Sequence, residues 1–140
     1  VFSHDVSLES SVRSGAVLEA STVVWWLKQD EAARKLIYSG TSELALALQR
    51  FTAFCGGLCN KQLLNMWGNG SEFDNVILGE SYERLGLVTP WEFWNNRSYR
   101  SKKKEVPNLR IVHEGIKHSA VDDAMSQVKH LFAIYDHLGQ

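Results

Sequence analysis

His118 stands five residues before Asp123 in "HSAVDDA", and Asp74 stands in "GSEFDN", just past Gly68 and Gly70. An imidazole that can take a proton from water, close to carboxylates that can hold a divalent cation, is the equipment of metal-assisted phosphodiester hydrolysis. Hard oxygen donors of this kind suit magnesium or manganese. Capping is the simpler explanation for part of the pattern. Ser71 with Asp74 and Ser119 with Asp122 each fit a hydroxyl N-cap followed by an acid at the third helical position, where the helix dipole also favours negative charge. Capping accounts for Asp122, leaves Asp123 and His118 unexplained, and does not forbid a second role for Asp74. His113 and His130 read as surface residues. Cys55 and Cys59 in "CGGLC" lack the further ligands of a zinc site and read as reduced and structural.

The elements that must position these residues follow from periodicity. "FSHDVSL" suggests a short strand, and Ser21 or Thr22 can cap a helix over "VVWWLKQDEAARKL". "SELALALQRFTAF" predicts a second helix with Leu44, Leu48 and Phe51 on one face, and "KQLLNMWG" is the best strand. "SEFDNVILGESYERLG" predicts a helix capped by Ser71 and ending near Gly86. "TPWEFWNNRSYRSKKKE" reads as an aromatic and basic connector, and "PNLRIV" as a further short strand. The last helix carries an apolar stripe of Val121, Ala124, Met125, Val128, Leu131, Phe132, Tyr135 and Leu138. Mixed strands and helices in this order predict an α/β or α+β domain with a thin sheet.

With 140 residues, 44% hydrophobic and 22% charged, the chain is one globular domain, 1–140, with enough apolar residues for a core. A net charge of -1 excludes a global basic field, so any nucleic-acid contact must be a local patch. Its longest apolar runs are too short for a bilayer span, and no charged start precedes an apolar signal segment. The expectation is a cytoplasmic protein with no membrane partner.

"WGNGSEFDNVIL", then "PWEFWNNRSYR", then "GIKHSAVDDAMSQVKHL" closely resemble the DEDDh 3′-5′ exonucleases, in the phage and prophage branch related to ribonuclease T and polymerase proofreading subunits. "STVVWWLKQDEAAR" matches the same branch, so the resemblance covers nearly the whole chain in order. It implies an α/β, ribonuclease H-like fold, with a mixed central sheet flanked by helices and the site at strand ends. Carried over, Asp74 matches the second-motif acid and Asp123 the third-motif acid, both metal ligands, and His118 matches the general base. The cofactor implied is a pair of Mg2+ or Mn2+ ions.

The family pattern also has a D-x-E on its first strand, and none occurs upstream of Asp74, where Asp5, Glu9 and Glu19 lack the spacing. Three explanations stand open. The chain begins at Val1 and not at Met, which favours a preceding N-terminal segment that carries those strands and acids. A homodimer or another subunit could supply them. The chain could also be a degenerate relative with a rearranged sheet. The functional expectation is therefore a metal-dependent 3′-5′ exonuclease acting on single-stranded DNA or RNA. The alternatives are a non-catalytic nucleic-acid-binding module of the same fold and a structural protein that keeps only the scaffold.

Substrate contacts have two readings each. Trp25 and Trp26 could place one ring in the core and offer the other for stacking on a terminal base, or both could pack in the core, and Phe73 has the same two readings. Arg97, Arg100 and Lys102 to Lys104, interleaved with Trp94 and Tyr99, could meet phosphates or form a solvated charge run. Asn69 and Asn75 could orient a phosphate or a ligand carboxylate, or serve turns.

Overall fold

The computed structural model describes residues 1–116 and 118–139. Four helices come first: α1 (Leu8–Arg13), α2 (Ala20–Leu27), α3 (Glu31–Ser39) and α4 (Leu44–Gly56). Strand β1 (Met66–Gly68) then leads through a π-helical turn, Ser71–Asn75, into α5 (Val76–Arg84). A 3-10 turn, Phe93–Asn95, precedes β2 (Asn96–Ser98), and α6 (Tyr99–Lys102) runs on into a second 3-10 turn, Lys103–Glu105. Helix α7 (Ala120–Leu138) closes the chain.

Among the described residues the sheet has two strands. β1 pairs in parallel with β2, Met66 opposite Asn96 and Gly68 opposite Ser98. Parallel neighbours need a crossover, and α5 supplies it. The architecture is mixed α/β and mostly helical.

The core lies where α4 meets α5 and the segment before β2. Leu44, Leu48, Tyr82 and Trp91 are buried together, with Phe51, Leu64 and Leu78 packed around them. The Tyr82 hydroxyl donates to the Leu48 carbonyl at 2.9 Å and is 2.9 Å from Thr52 Oγ1. Burial pushes the Tyr82 phenol above its usual pKa, since its anion would lose water. Asn96 Oδ1 accepts from both Trp91 Nε1 and Asn75 Nδ2, and Asn75 Nδ2 also donates to the Met66 carbonyl. Buried Asn75 thereby ties the π turn to both strands, so its turn reading stands.

Several expected boundaries move. Glu19, not Ser21 or Thr22, caps α2 by accepting from the Thr22 amide, and the Ser21 hydroxyl, with the Thr22 and Ser21 amides, holds its carboxyl down to about 2. Asp30 Oδ1 accepts from the Ala33 amide and starts α3, splitting the single helix expected there. "FSHDVSL" forms one parallel bridge, Val6 to Ser42, before Ser7 caps α1. The "PNLRIV" segment is unpaired, and β2 lies inside the stretch read as a connector.

The face of α7 differs as well. Its buried residues are Ser126, His130 and Ile134, four apart on one side. No residue of the expected stripe is fully buried: Val121, Leu131, Tyr135 and Leu138 are half-buried, and Ala124, Met125, Val128 and Phe132 are exposed, Phe132 at 67%. Buried hydrogen bonds, not apolar content, decide which side faces in. His130, read as a surface residue, is 6% exposed, with Nδ1 2.6 Å from the Tyr99 hydroxyl and Nε2 3.0 Å from the Leu109 carbonyl. No described helix is long and apolar enough to cross a membrane.

Candidate active site

The loop from β1 to α5 holds Asp74. Gly68 is buried at the strand end, and a Cβ there would stand 2.4 Å from Asn75 Oδ1 and 3.0 Å from Asp74 Cβ. Only a glycine lets the strand end close under the turn. The Gly70 amide donates to Asp74 Oδ2 at 2.9 Å, and Gly70, not Ser71, occupies the N-cap. The turn opens with a wider π hydrogen-bond pattern, so the helix begins one residue earlier than a Ser71 cap would place it. Such turns concentrate at functional sites. Asn69 presents its carbonyl to the Arg100 amide at 2.8 Å, and the Arg100 guanidinium passes beside Gly70.

The second acidic position is the first turn of α7. Asp122 Oδ2 accepts from the Ile116 amide at 2.9 Å, with Gly115 in left-handed backbone, φ +87°, folded against the Asp122 side chain. Ser119 makes no side-chain cap bond, so the expected Ser119 with Asp122 box is absent and Asp122 holds the preceding loop instead. Asp123 Oδ1 is 2.7 Å from His113 Nε2, which places half-buried His113 in the site rather than on the free surface. Ser126 Oγ donates to the Asp122 carbonyl and accepts from the Glu114 amide, pinning the same loop to the helix.

His118 has φ +68°, a left-handed conformation that costs a non-glycine residue roughly 1–2 kcal/mol. Its ring stands edge-on to Trp25 and Trp26, centroids 5.0 and 6.1 Å away. Trp25 is 44% exposed, so the pair is not simply core. Trp26 borders two cavities. One, of about 530 Å³, is also lined by His118, Asp5 and His4, whose buried Nε2 has no hydrogen-bond partner among the described residues. The other, of about 820 Å³, is also lined by Phe73 and Ile77. Phe73 is 63% exposed. Trp26 thus stands between Phe73, the neighbour of Asp74, and His118.

The basic residues are unequally available. Arg97 Nη1 is tied to the carbonyls of Trp94 and Asn96, and Lys102 Nζ pairs with Glu105 and lies 4.9 Å over the Tyr135 ring. Arg100 is exposed beside Gly70.

A family model for the 3′-5′ exoribonuclease Rv2179c-like domain matches residues 1–135. The chain belongs to that family. No curated protein and no solved structure matched in the corresponding comparisons. An Rv2179c-like exoribonuclease domain is by its description a nuclease, a hydrolase of phosphodiester bonds, and the matched range takes in both acidic turns.

The donor set of this Rv2179c-like domain can be tested against the expected metal. Asp74 and Asp123 are hard carboxylates of the right type, each with one oxygen engaged, by Gly70 and by His113. Among the described residues no three of His, Cys, Asp and Glu converge as a metal-holding group. These residues alone do not fit a resident pair of ions. No hydrogen bond or ion pair among the described residues joins Asp74, His118 and Asp123 to one another. His113 and His4 were missed by sequence reasoning, because neither has a spacing signal relative to the acids.

Proposed function

We propose that the chain is a 3′-5′ exonuclease of the DEDDh type, with a ribonuclease H-like arrangement, that shortens single-stranded RNA or DNA from the 3′ end and requires Mg2+ or Mn2+. The observation that carries this reading is the exoribonuclease family match across residues 1–135. In this reading His118 accepts the proton of a water whose oxygen bonds to phosphorus, while the bond to the 3′ oxygen of the shortened strand breaks and a nucleotide leaves. Trp25, the exposed one of the two edge-on tryptophans, stacks on the terminal base, a contact worth about 1–3 kcal/mol per base in single-strand binders, with Phe73 adding a second ring. Arg100 and Asn69, at the loop before Asp74, contact the terminal phosphate, and Arg97 and Lys102 exchange their internal partners to reach the strand behind it. Asp74 and Asp123 are the acids of the site. The metal requirement rests on the resemblance, since Asp74 and Asp123 are the carboxylates that would hold an ion and no third ligand joins them among the described residues.

The test is degradation of a 5′-labelled single strand with manganese, with Asp123→Asn alongside. The expected result is a ladder shortening from the 3′ end that disappears in the variant. A folded protein that binds the strand and never cuts it would instead be the non-catalytic binding module.

A further inference from the structure

The cavities differ in charge. The one beside Phe73 carries Glu19 and Glu31 with Arg34, and the one beside His118 carries Asp5. A third, of about 420 Å³, is lined by Lys103, Lys104 and Arg110 and by no Asp or Glu. None of these three cations is in a salt bridge among the described residues. Lys103 lies 5.5 Å over the Tyr99 ring, and the adjacent Glu105 is occupied by Lys102. In a chain whose net charge is -1, three cationic side chains thus rim a shallow concavity whose lining is mostly apolar.

The concavity is held in shape. His130, also in its lining, bridges the Tyr99 hydroxyl and the Leu109 carbonyl, so α6, the 107–111 segment and α7 are locked together beneath it. Buried Val106 takes the Leu109 amide at 3.0 Å. Pro107, Leu109 and Ile111 supply apolar walls. The segment that carries the lysines also starts at the candidate site: the Arg100 amide bonds Asn69, and its guanidinium lies beside Gly70, four residues before Asp74. One short stretch therefore leads from the acid loop to the cationic cleft.

We propose that this cleft is a second RNA contact, which binds the phosphodiester backbone of the strand on the 5′ side of its reacting end. The lysines and Arg110 meet the phosphates, and the apolar walls meet sugar or base. The inference rests on the exonuclease reading.

The experiment is equilibrium binding of a 5′-fluorescein-labelled oligouridylate over a range of KCl, without divalent metal, to wild type and to K103Q/K104Q/R110Q. Single strands lose about 0.7 in the slope of log affinity against log salt for each phosphate contact removed, so the triple variant should lose about 2. R110Q alone should lose about 0.7 while keeping both lysines. Thermal melts confirm that both variants are folded. K28Q/K35Q/R50Q, which removes equal charge from exposed positions elsewhere, should keep the wild-type slope. An unchanged slope in the triple variant, or an equal loss in the control, overturns the cleft and leaves the exonuclease reading standing. Wild type that binds no oligouridylate overturns the cleft as an RNA contact, while the exonuclease reading is decided separately by the manganese degradation assay.

Discussion

His113 Nε2 donates to Asp123 Oδ1 at 2.7 Å, so the imidazole that contacts Asp123 is not the one five residues before it. The two histidines should separate in mutagenesis. His118→Ala is expected to lower turnover about 10²–10⁴-fold with little change in melting, as loss of a general base does. His113→Ala removes a half-buried hydrogen bond and is expected to cost about 0.5–1.5 kcal/mol of stability, with a smaller effect on turnover. Urea melts beside single-turnover rates would check both, and equal losses of turnover would assign His113 a share of the chemistry.

Gly68→Ala tests how tightly the strand end is closed. The added carbon would sit 2.4 Å from Asn75 Oδ1, and Asn75 cannot move without leaving Met66 and Asn96. Destabilisation of about 1–3 kcal/mol is expected, together with a loss of activity larger than the loss of folded protein, because Asp74 is the second atom displaced. Denaturant midpoints and specific activity on the same samples decide it.

Tyr82→Phe probes the core. The hydroxyl satisfies the Leu48 carbonyl inside α4 and binds Thr52, and the residue is 1% exposed. Removing it while keeping the ring should cost about 0.5–1.5 kcal/mol, the net worth of a buried hydrogen bond, since the Leu48 carbonyl keeps its place in the α4 ladder. Thermal melts measure the loss, and a midpoint equal to wild type would mean that water replaces the hydroxyl.

Acid should loosen α1 from α4. The Arg13 guanidinium first, and then the Ser10 hydroxyl, hold the Glu43 carboxyl below its ordinary value of 4.5. A carboxyl lowered in the folded state contributes fully above about pH 4.5 and loses that contribution as pH falls through the folded value. Hydrogen exchange at the Leu44 amide, which donates to Ser10 Oγ at 2.7 Å, should therefore quicken below that pH beyond the intrinsic rate. Glu43→Gln should remove that pH dependence.

The positions of Asp74 and Asp123 were legible because each opens a helix in a motif with its own spacing, and β1 and α4 were legible from periodicity. β2 was not, because Asn96, Arg97 and Ser98 have no apolar alternation. Its place is set by Asn75 and Trp91, which converge on Asn96 from distant parts of the chain. The rotation of α7 was misread for the same kind of reason. Its apolar residues outnumber its polar ones, yet Ser126 and His130 find partners only on the inner side. Capping patterns were the least reliable guide, since Glu19 and Gly70 took the places expected of neighbouring hydroxyl residues.

The bridge from Tyr99 through His130 to Leu109 has a genetic corollary. His130 lies two turns along α7 from Asp123, so it sets the rotation at which that acid is presented while sitting about 10 Å farther along the axis. A random-mutagenesis screen for soluble but inactive clones should therefore return changes at Tyr99 and His130 as well as at the acids. Second-site revertants of such clones should map to the 106–111 segment, where a repacked loop can restore the helix to its original facing.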